Sequence, residues 1–123
     1  MRGRVAAGPL GGQGMPRKSE QMTVVNRRTF YGKAGKADAI VALLQEGGKT
    51  FVKNGVKLKY RILTDNNSGR TDRVVWEWEG ESVEAIVATV RQARAKAQEA
   101  FGASSGKLSE MITHVEMDNF TVR

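Results

Sequence analysis

The sequence predicts an α+β protein of the ferredoxin-like type, a βαββαβ chain whose antiparallel four-stranded sheet carries two helices on one face. Three observations carry this prediction. The stretch RVVWEWEGES, Arg73 to Ser82, alternates large apolar and charged residues, the period-two pattern of a half-buried strand. Two stretches, Ala37 to Phe51 and Val83 to Phe101, repeat apolar residues at helical spacing. Clusters of turn-forming residues, GKAGK, DNNSGRTD and ASSGKLSEM, separate the segments.

The first 21 residues, MRGRVAAGPLGGQGMPRKSEQ, are rich in glycine and nearly free of large apolar side chains. They cannot bury enough surface to offset the entropy of ordering, so a disordered or extended tail is expected. The stretch lacks the apolar run of a secretory signal. The folded domain is expected over residues 22–123. MTVVNRRTFY, Met22 to Tyr31, is rich in strand formers and stops at GKAGK. The first helix follows, with Ala37, Ile40, Val41, Leu44, Gly48 and Phe51 on one stripe. Gly47 and Gly48 weaken it by about 1 kcal/mol each relative to alanine, which predicts a bend or break there. Gly55 is placed to end it.

VKLKYRIL, Val56 to Leu63, is the second strand, and the Trp strand returns from it through a turn. A turn centred on Ser68 sets Tyr60 opposite Trp76, Leu58 opposite Trp78 and Ile62 opposite Val74. The same register sets Lys59 opposite Glu77 and Lys57 opposite Glu79. Character matches in every pair, and a slip of one residue destroys all of it. The Trp side is therefore expected to face the helices, with Trp76 and Trp78 as core. Ser82 stands where the second helix needs an N-cap, and Gly102 stands where it would stop. ASSGKLSEM reads as a connector, and ITHVEMDNFTV, Ile112 to Val122, as the last strand.

Composition excludes several functions. The chain has 123 residues and no cysteine, so disulfides and thiol chemistry are absent. A reducing, cytoplasmic setting fits. One histidine rules out a His-rich metal site, and the dispersed acids offer no metal cluster. No metal or other cofactor is expected. No apolar run reaches the roughly 18 residues that span a membrane. The net charge is +7, of which +3 falls in the first 21 residues. Elsewhere the two signs are interspersed, which favours a solvated surface over a phosphate-binding face, so nucleic acid is not an expected partner. GKAGK lacks the G-x-x-x-x-G-K-[ST] pattern of a phosphate loop.

The segment RRTFYGKAGK, then ILTDNNSGRTDRVVWEWE, an Ala-rich helix and a final strand together resemble the dimeric α+β barrel superfamily. The nearest members are NIPSNAP-like proteins, with the antibiotic-biosynthesis monooxygenase group as a cousin. Arg28-Thr29-Phe30 and Gly35-Lys36 occupy the places of an Arg-x-Tyr strand and a Pro-Gly-Lys turn. Here Phe30 replaces the tyrosine and Ala34 the proline. Thr64-Asp65, Gly69 and Val74-Val75-Trp76-Glu77 match the hairpin. The resemblance covers roughly residues 22 to 122. It implies a homodimer whose sheets pack face to face into a closed barrel, with a small pocket in each half.

Within that frame the catalytic candidates are His114 and Glu77, and the ligand-binding candidates are Arg28, Phe30 and Arg61. His114 is the chain's one imidazole, the side-chain type whose unperturbed pKa lies nearest neutrality. It is either a general base in the barrel or a surface residue near the dimer edge. Arg28 is either the pocket cation for an anionic or enolic ligand or an ion-pair partner of a sheet glutamate. Glu77 is either a buried base or the cross-strand partner of Lys59. Two function classes follow. One is a small-molecule site in the barrel, in a binding protein or a cofactor-free oxygenase or isomerase. The other is a non-catalytic interaction or stress-response dimer whose basic tail contacts a partner.

Overall fold

The structure, a computed structural model, describes residues 22–66 and 72–123. The expectations for the tail, 1–21, and for the hairpin tip at Ser68 lie outside these residues. In chain order the elements are β1 (Val24–Gly32), α1 (Ala37–Lys53), β2 (Tyr60–Thr64), β3 (Arg73–Gly80), α2 (Val83–Lys96), α3 (Gln98–Met111) and β4 (Ile112–Thr121). The four strands form one sheet in the order β2-β3-β1-β4. Every neighbouring pair is antiparallel. This is the ferredoxin-like α+β arrangement, with three helices rather than two.

The register decides what each face carries. Phe30 pairs with Val74, Arg28 with Trp76 and Asn26 with Trp78 across β1 and β3. Tyr60 pairs with Trp78 and Ile62 with Trp76 across β2 and β3. The β2–β3 pairing is thus offset by two residues from the expected one. A two-residue shift leaves each side chain on its face, which is why apolar still meets apolar. It does change the partners: Arg61, not Lys59, stands opposite Glu77. Lys57 precedes the strand altogether.

The Trp face is the helix face. Val24, Phe30, Val74, Trp76 and Trp78 from the sheet are buried with Ile40, Leu44 and Phe51 of α1, Ile86 and Ala93 of α2, and Phe101 of α3. Aromatic rings meet at its centre. Trp78 stands edge-on to Phe51 at 5.3 Å between centroids, and Phe51 lies 4.4 Å from Phe101. Such pairs add about 0.5–1.5 kcal/mol beyond the area they bury.

The helices show local logic. α1 runs unbroken through Gly47-Gly48. Gly48 is there because a Cβ would collide with the Tyr60 ring. The helix ends in a Schellman motif: Val56 N–H donates to the Phe51 carbonyl at 3.0 Å and Gly55 N–H to that of Val52 at 3.1 Å, with Gly55 at φ +98°. The Ser82 hydroxyl caps α2 by accepting from Ala85 N–H at 3.0 Å. The expected long second helix instead breaks at Ala97. The expected connector is α3, a helix that continues through Gly102 and Gly106. Its serines and glycines hide it, because they are weak helix formers. The spacing of Phe101, Leu108 and Met111 reveals it, since all three pack on the core.

Candidate functional site

β1 displays two successive arginines to opposite faces. Arg27 points to the open face. Its guanidinium meets Glu77 at 2.6 Å and lies over the Phe120 ring, 5.0 Å from the centroid. Arg61 reaches the other Glu77 oxygen at 2.9 Å. Glu77 itself is only 3% exposed. Burial pushes its carboxyl up, but the hydrogen bonds and charges of Arg61 and Arg27 outweigh this and hold it below the ordinary carboxylate range. A carboxylate locked between two arginines is a structural ion triad and a poor proton acceptor.

His114 shares this face but not this cluster. It pairs with Tyr31 on β1, four residues from Arg27, or about 13 Å along the strand. The His114 and Tyr31 rings stack at 4.2 Å. The Tyr31 hydroxyl donates to Glu116 Oε1 at 3.0 Å, and His114 Nε2 lies 3.7 Å from Glu116 Oε2. His114 and Glu116 are both more than half exposed.

Arg28 and Phe30 point the other way, under the helices. Phe30 is core, 5% exposed. The five candidate residues therefore do not form one site. Glu77 and Arg61 make a triad with Arg27, His114 stands apart, and Arg28 and Phe30 lie behind the sheet. The signal was in the sequence. Arg28 shares strand parity with Phe30 and Val24, so it belongs on whichever face is core.

Behind the sheet lies a cleft of about 210 Å³ between β1, β3 and α2. Asn26, Arg28, Trp76 and Trp78 form its floor, and Phe51 closes one side. Ile86, Val87 and Val90 of α2 form an apolar wall, and Arg91 and Arg94 stand along the same helix. Asn26 is fixed by donating to Asn119 Oδ1 at 2.8 Å. Two donors on residues of this floor have no hydrogen-bond partner among the described residues: Arg28 Nε and Trp76 Nε1, both buried. They belong to residues directly opposite one another on β1 and β3. Burial lowers the Arg28 pKa, and the nearby positive charge of Arg94 lowers it further. The sequence reading missed Trp76 and Arg94 as site residues. Trp76 serves as core and as cleft floor at once, and Arg94 lies on a helix remote in sequence.

No group of three or more metal-ligating side chains occurs among the described residues. No helix among them is long and apolar enough to cross a membrane.

No protein-family model matches the chain, and no curated protein matches it. Solved structures do. A NIPSNAP domain protein from Burkholderia xenovorans aligns with a TM-score of 0.64 at 20% identity, over 81% of this chain and 94% of that one. A NIPSNAP family protein of unknown function from Agrobacterium tumefaciens aligns at 0.63 and 16% identity, over 83% and 89%. A Chloroflexus aurantiacus protein named for antibiotic biosynthesis monooxygenase aligns at 0.59 and 14% identity, over 82% and 93%. The chain has the fold shared by NIPSNAP proteins and antibiotic-biosynthesis-monooxygenase-like proteins.

Proposed function

We propose that the protein binds a small organic anion in the cleft behind the sheet. The observation that carries this reading is the pair of buried donors without a partner among the described residues, Arg28 Nε and Trp76 Nε1, on two cleft-lining residues that stand opposite one another on β1 and β3. A buried donor without an acceptor costs about 1–3 kcal/mol, more for a charged group. An acceptor-only oxygen, such as a carboxylate, phenolate or enolate, removes that cost. The apolar and aromatic walls suit the rest of an organic molecule. Arg94 adds positive charge at close range.

The lining also limits the chemistry. Among the described residues it contains no carboxylate, histidine or lysine. Glu77 and His114 are behind the sheet from it. An isomerase needs a base to move a proton, so the cleft suits binding, or oxygenation of a substrate that ionises without help from the protein. In that second case the guanidinium and the indole N–H would hold the enolate oxygen while the substrate itself supplies the electrons to dioxygen.

The test is titration with benzoate followed by tryptophan fluorescence and calorimetry. Binding that Arg28→Met removes, in a variant that stays folded, is the expected result. Benzoate affinity unchanged in Arg28→Met would overturn the assignment.

The open face supports a second part of the reading, a homodimer through the sheets. Leu63 and Phe120 lie exposed there, 37% and 47%, beside partly buried Val25 and Val75. No helix among the described residues covers them. Analytical ultracentrifugation should find a dimer, and a monomer at micromolar concentration would sink this part.

A further inference from the structure

A second cavity, about 40 Å³, adjoins the cleft between α1 and α3. Its own walls are almost wholly apolar: Leu43, Leu44, Gly47, Phe101 and Leu108. Three residues line both cavities, namely Phe51, Trp76 and Arg94. Phe51 and Trp76 are buried rings. Arg94 is a long, exposed side chain, free to change rotamer without repacking the core, and it rests over the Phe101 ring with its guanidinium 5.4 Å from the centroid. The partition between the cavities therefore has two fixed parts and one movable part.

We propose that the site takes amphipathic organic acids, whose carboxylate meets Arg28 and whose alkyl chain runs over Trp76 and Phe51 into the second cavity. This deepens the function proposed above and rests on it. The argument is electrostatic and steric. Without a ligand, Arg94 is repelled by Arg28 and attracted to the face of Phe101. A carboxylate on Arg28 reverses the sign of the local field. Arg94 then gains by swinging toward the anion, and in doing so it leaves Phe101 and joins the two cavities. The anionic head thus opens the space that its own tail fills. Gly47 keeps that space open, since a Cβ there would come 3.4 Å from the edge of the Trp76 ring. A cavity of this size holds about three water-sized groups, so about three terminal methylenes find room. Once Arg94 has swung toward the anion, the polar groups left at the rim, Ser104 and Ser105 of α3, carry no charge, which suits an alkyl end and not a second carboxylate.

The experiment is a calorimetric series of linear carboxylates from hexanoate to dodecanoate, with octan-1-ol as the uncharged control. Affinity should climb by about fourfold per methylene and level off once the second cavity is full. Octan-1-ol should bind at least tenfold more weakly than octanoate. Ser104→Phe plugs the cavity from a partly exposed position, and Leu108→Phe does so from one turn further along α3 if the first variant folds poorly. Either plug should flatten the climb while leaving hexanoate binding unchanged. A flat series in the unmodified protein, or a plugged variant that follows the unmodified one along the whole series, overturns the tail assignment. If hexanoate binding is nonetheless lost in Arg28→Met, the anion site survives that failure. If no carboxylate binds at all, both readings fall.

Discussion

Arg27 and Arg28 are neighbours in the chain and opposites in surroundings. Arg27 faces the open side of the sheet, where Glu77 meets it at 2.6 Å and Phe120 lies beneath its charge. Arg28 faces the helices, where its Nε has no partner among the described residues and the charge acting on it is that of another arginine, Arg94. The open face answers its buried carboxylate, Glu77, with Arg27 and Arg61, and it sets Arg73 on Asp65 at 2.6 Å. The covered face is the drier one, and it is the one that leaves a cation unanswered. Physics favours the reverse, since an unpaired charge costs most where water is excluded. That inversion marks the covered face, and not the charged one, as the place where a ligand completes the structure.

The largest effect should come from the wall that the core and the cleft share. Trp76 is 7% exposed, packed between Phe51 and Tyr60 and in contact with Trp78 at 5.3 Å between centroids. Trp76→Ala should cost about 3–5 kcal/mol in denaturant unfolding, a large share of the stability of a small domain. Phe120→Ala on the open face, at 47% exposure, should cost less than about 1 kcal/mol to the protomer. Equal costs would show that the two faces contribute alike to the protomer's core, and the comparison would fail.

Glu77 tests the open face. Glu77→Gln removes the charge that Arg27 and Arg61 share. Both arginines are partly exposed, 41% and 64% on the side chain, so they can turn to water. The cost should therefore be about 1–3 kcal/mol, below the 3–5 kcal/mol of a fully buried broken pair. The same group sets an acid limit. Its pKa is lower folded than unfolded. Its contribution is therefore complete above the unfolded carboxylate value of about 4.3, and it is lost as pH falls through the depressed native value. Unfolding free energy measured from pH 6 downward should fall more steeply in the unmodified protein than in Glu77→Gln. Parallel curves would mean that the triad adds nothing to stability.

How much of this was legible in the sequence follows from the period of a strand. Alternation in RVVWEWEG separates the faces, because a slip of one residue puts tryptophan in water. It cannot separate registers that differ by two, because such a slip keeps every side chain on its face. Lys59 and Arg61 are both cations, so either satisfies Glu77 by character. Only the structure identifies Arg61, and only it adds Arg27 from a strand fifty positions away. α3 was hidden by Ser104, Ser105 and Gly106, residues that local propensity assigns to a loop and that packing of Phe101 and Leu108 overrides. The face of Arg28 was readable from parity with Phe30. The cleft above it was not, because its wall and its floor come from elements that no local pattern joins.

Arg28 tests the covered face in the opposite direction from Glu77. Arg28→Met keeps the length and apolar stem and removes a partly buried cation that has no ion-pair partner among the described residues. The variant should gain about 1 kcal/mol of stability in the absence of ligand while losing affinity for benzoate. A destabilised Arg28→Met with unchanged binding would show that Arg28 supports the fold and not a ligand.

The smallest effect belongs to Glu79, two residues from Glu77 on the same face. Its backbone N–H donates to the Lys59 carbonyl at 3.0 Å, so the ladder holds it in place whatever its side chain does. It stands opposite Val25 on β1, where Glu77 stands opposite Arg27. It is more exposed than Glu77, and no side-chain ion pair joins it among the described residues. Glu79→Gln should therefore change stability by less than about 0.5 kcal/mol, as surface substitutions do, and leave benzoate affinity unaltered. The two glutamates of WEWE share a strand, a face and a charge, so the pair isolates the effect of partners alone. If Glu79→Gln costs as much as Glu77→Gln in one denaturant series, the cause is the net charge of the strand. If it costs far less, the cause is the pair of arginines that only Glu77 can reach.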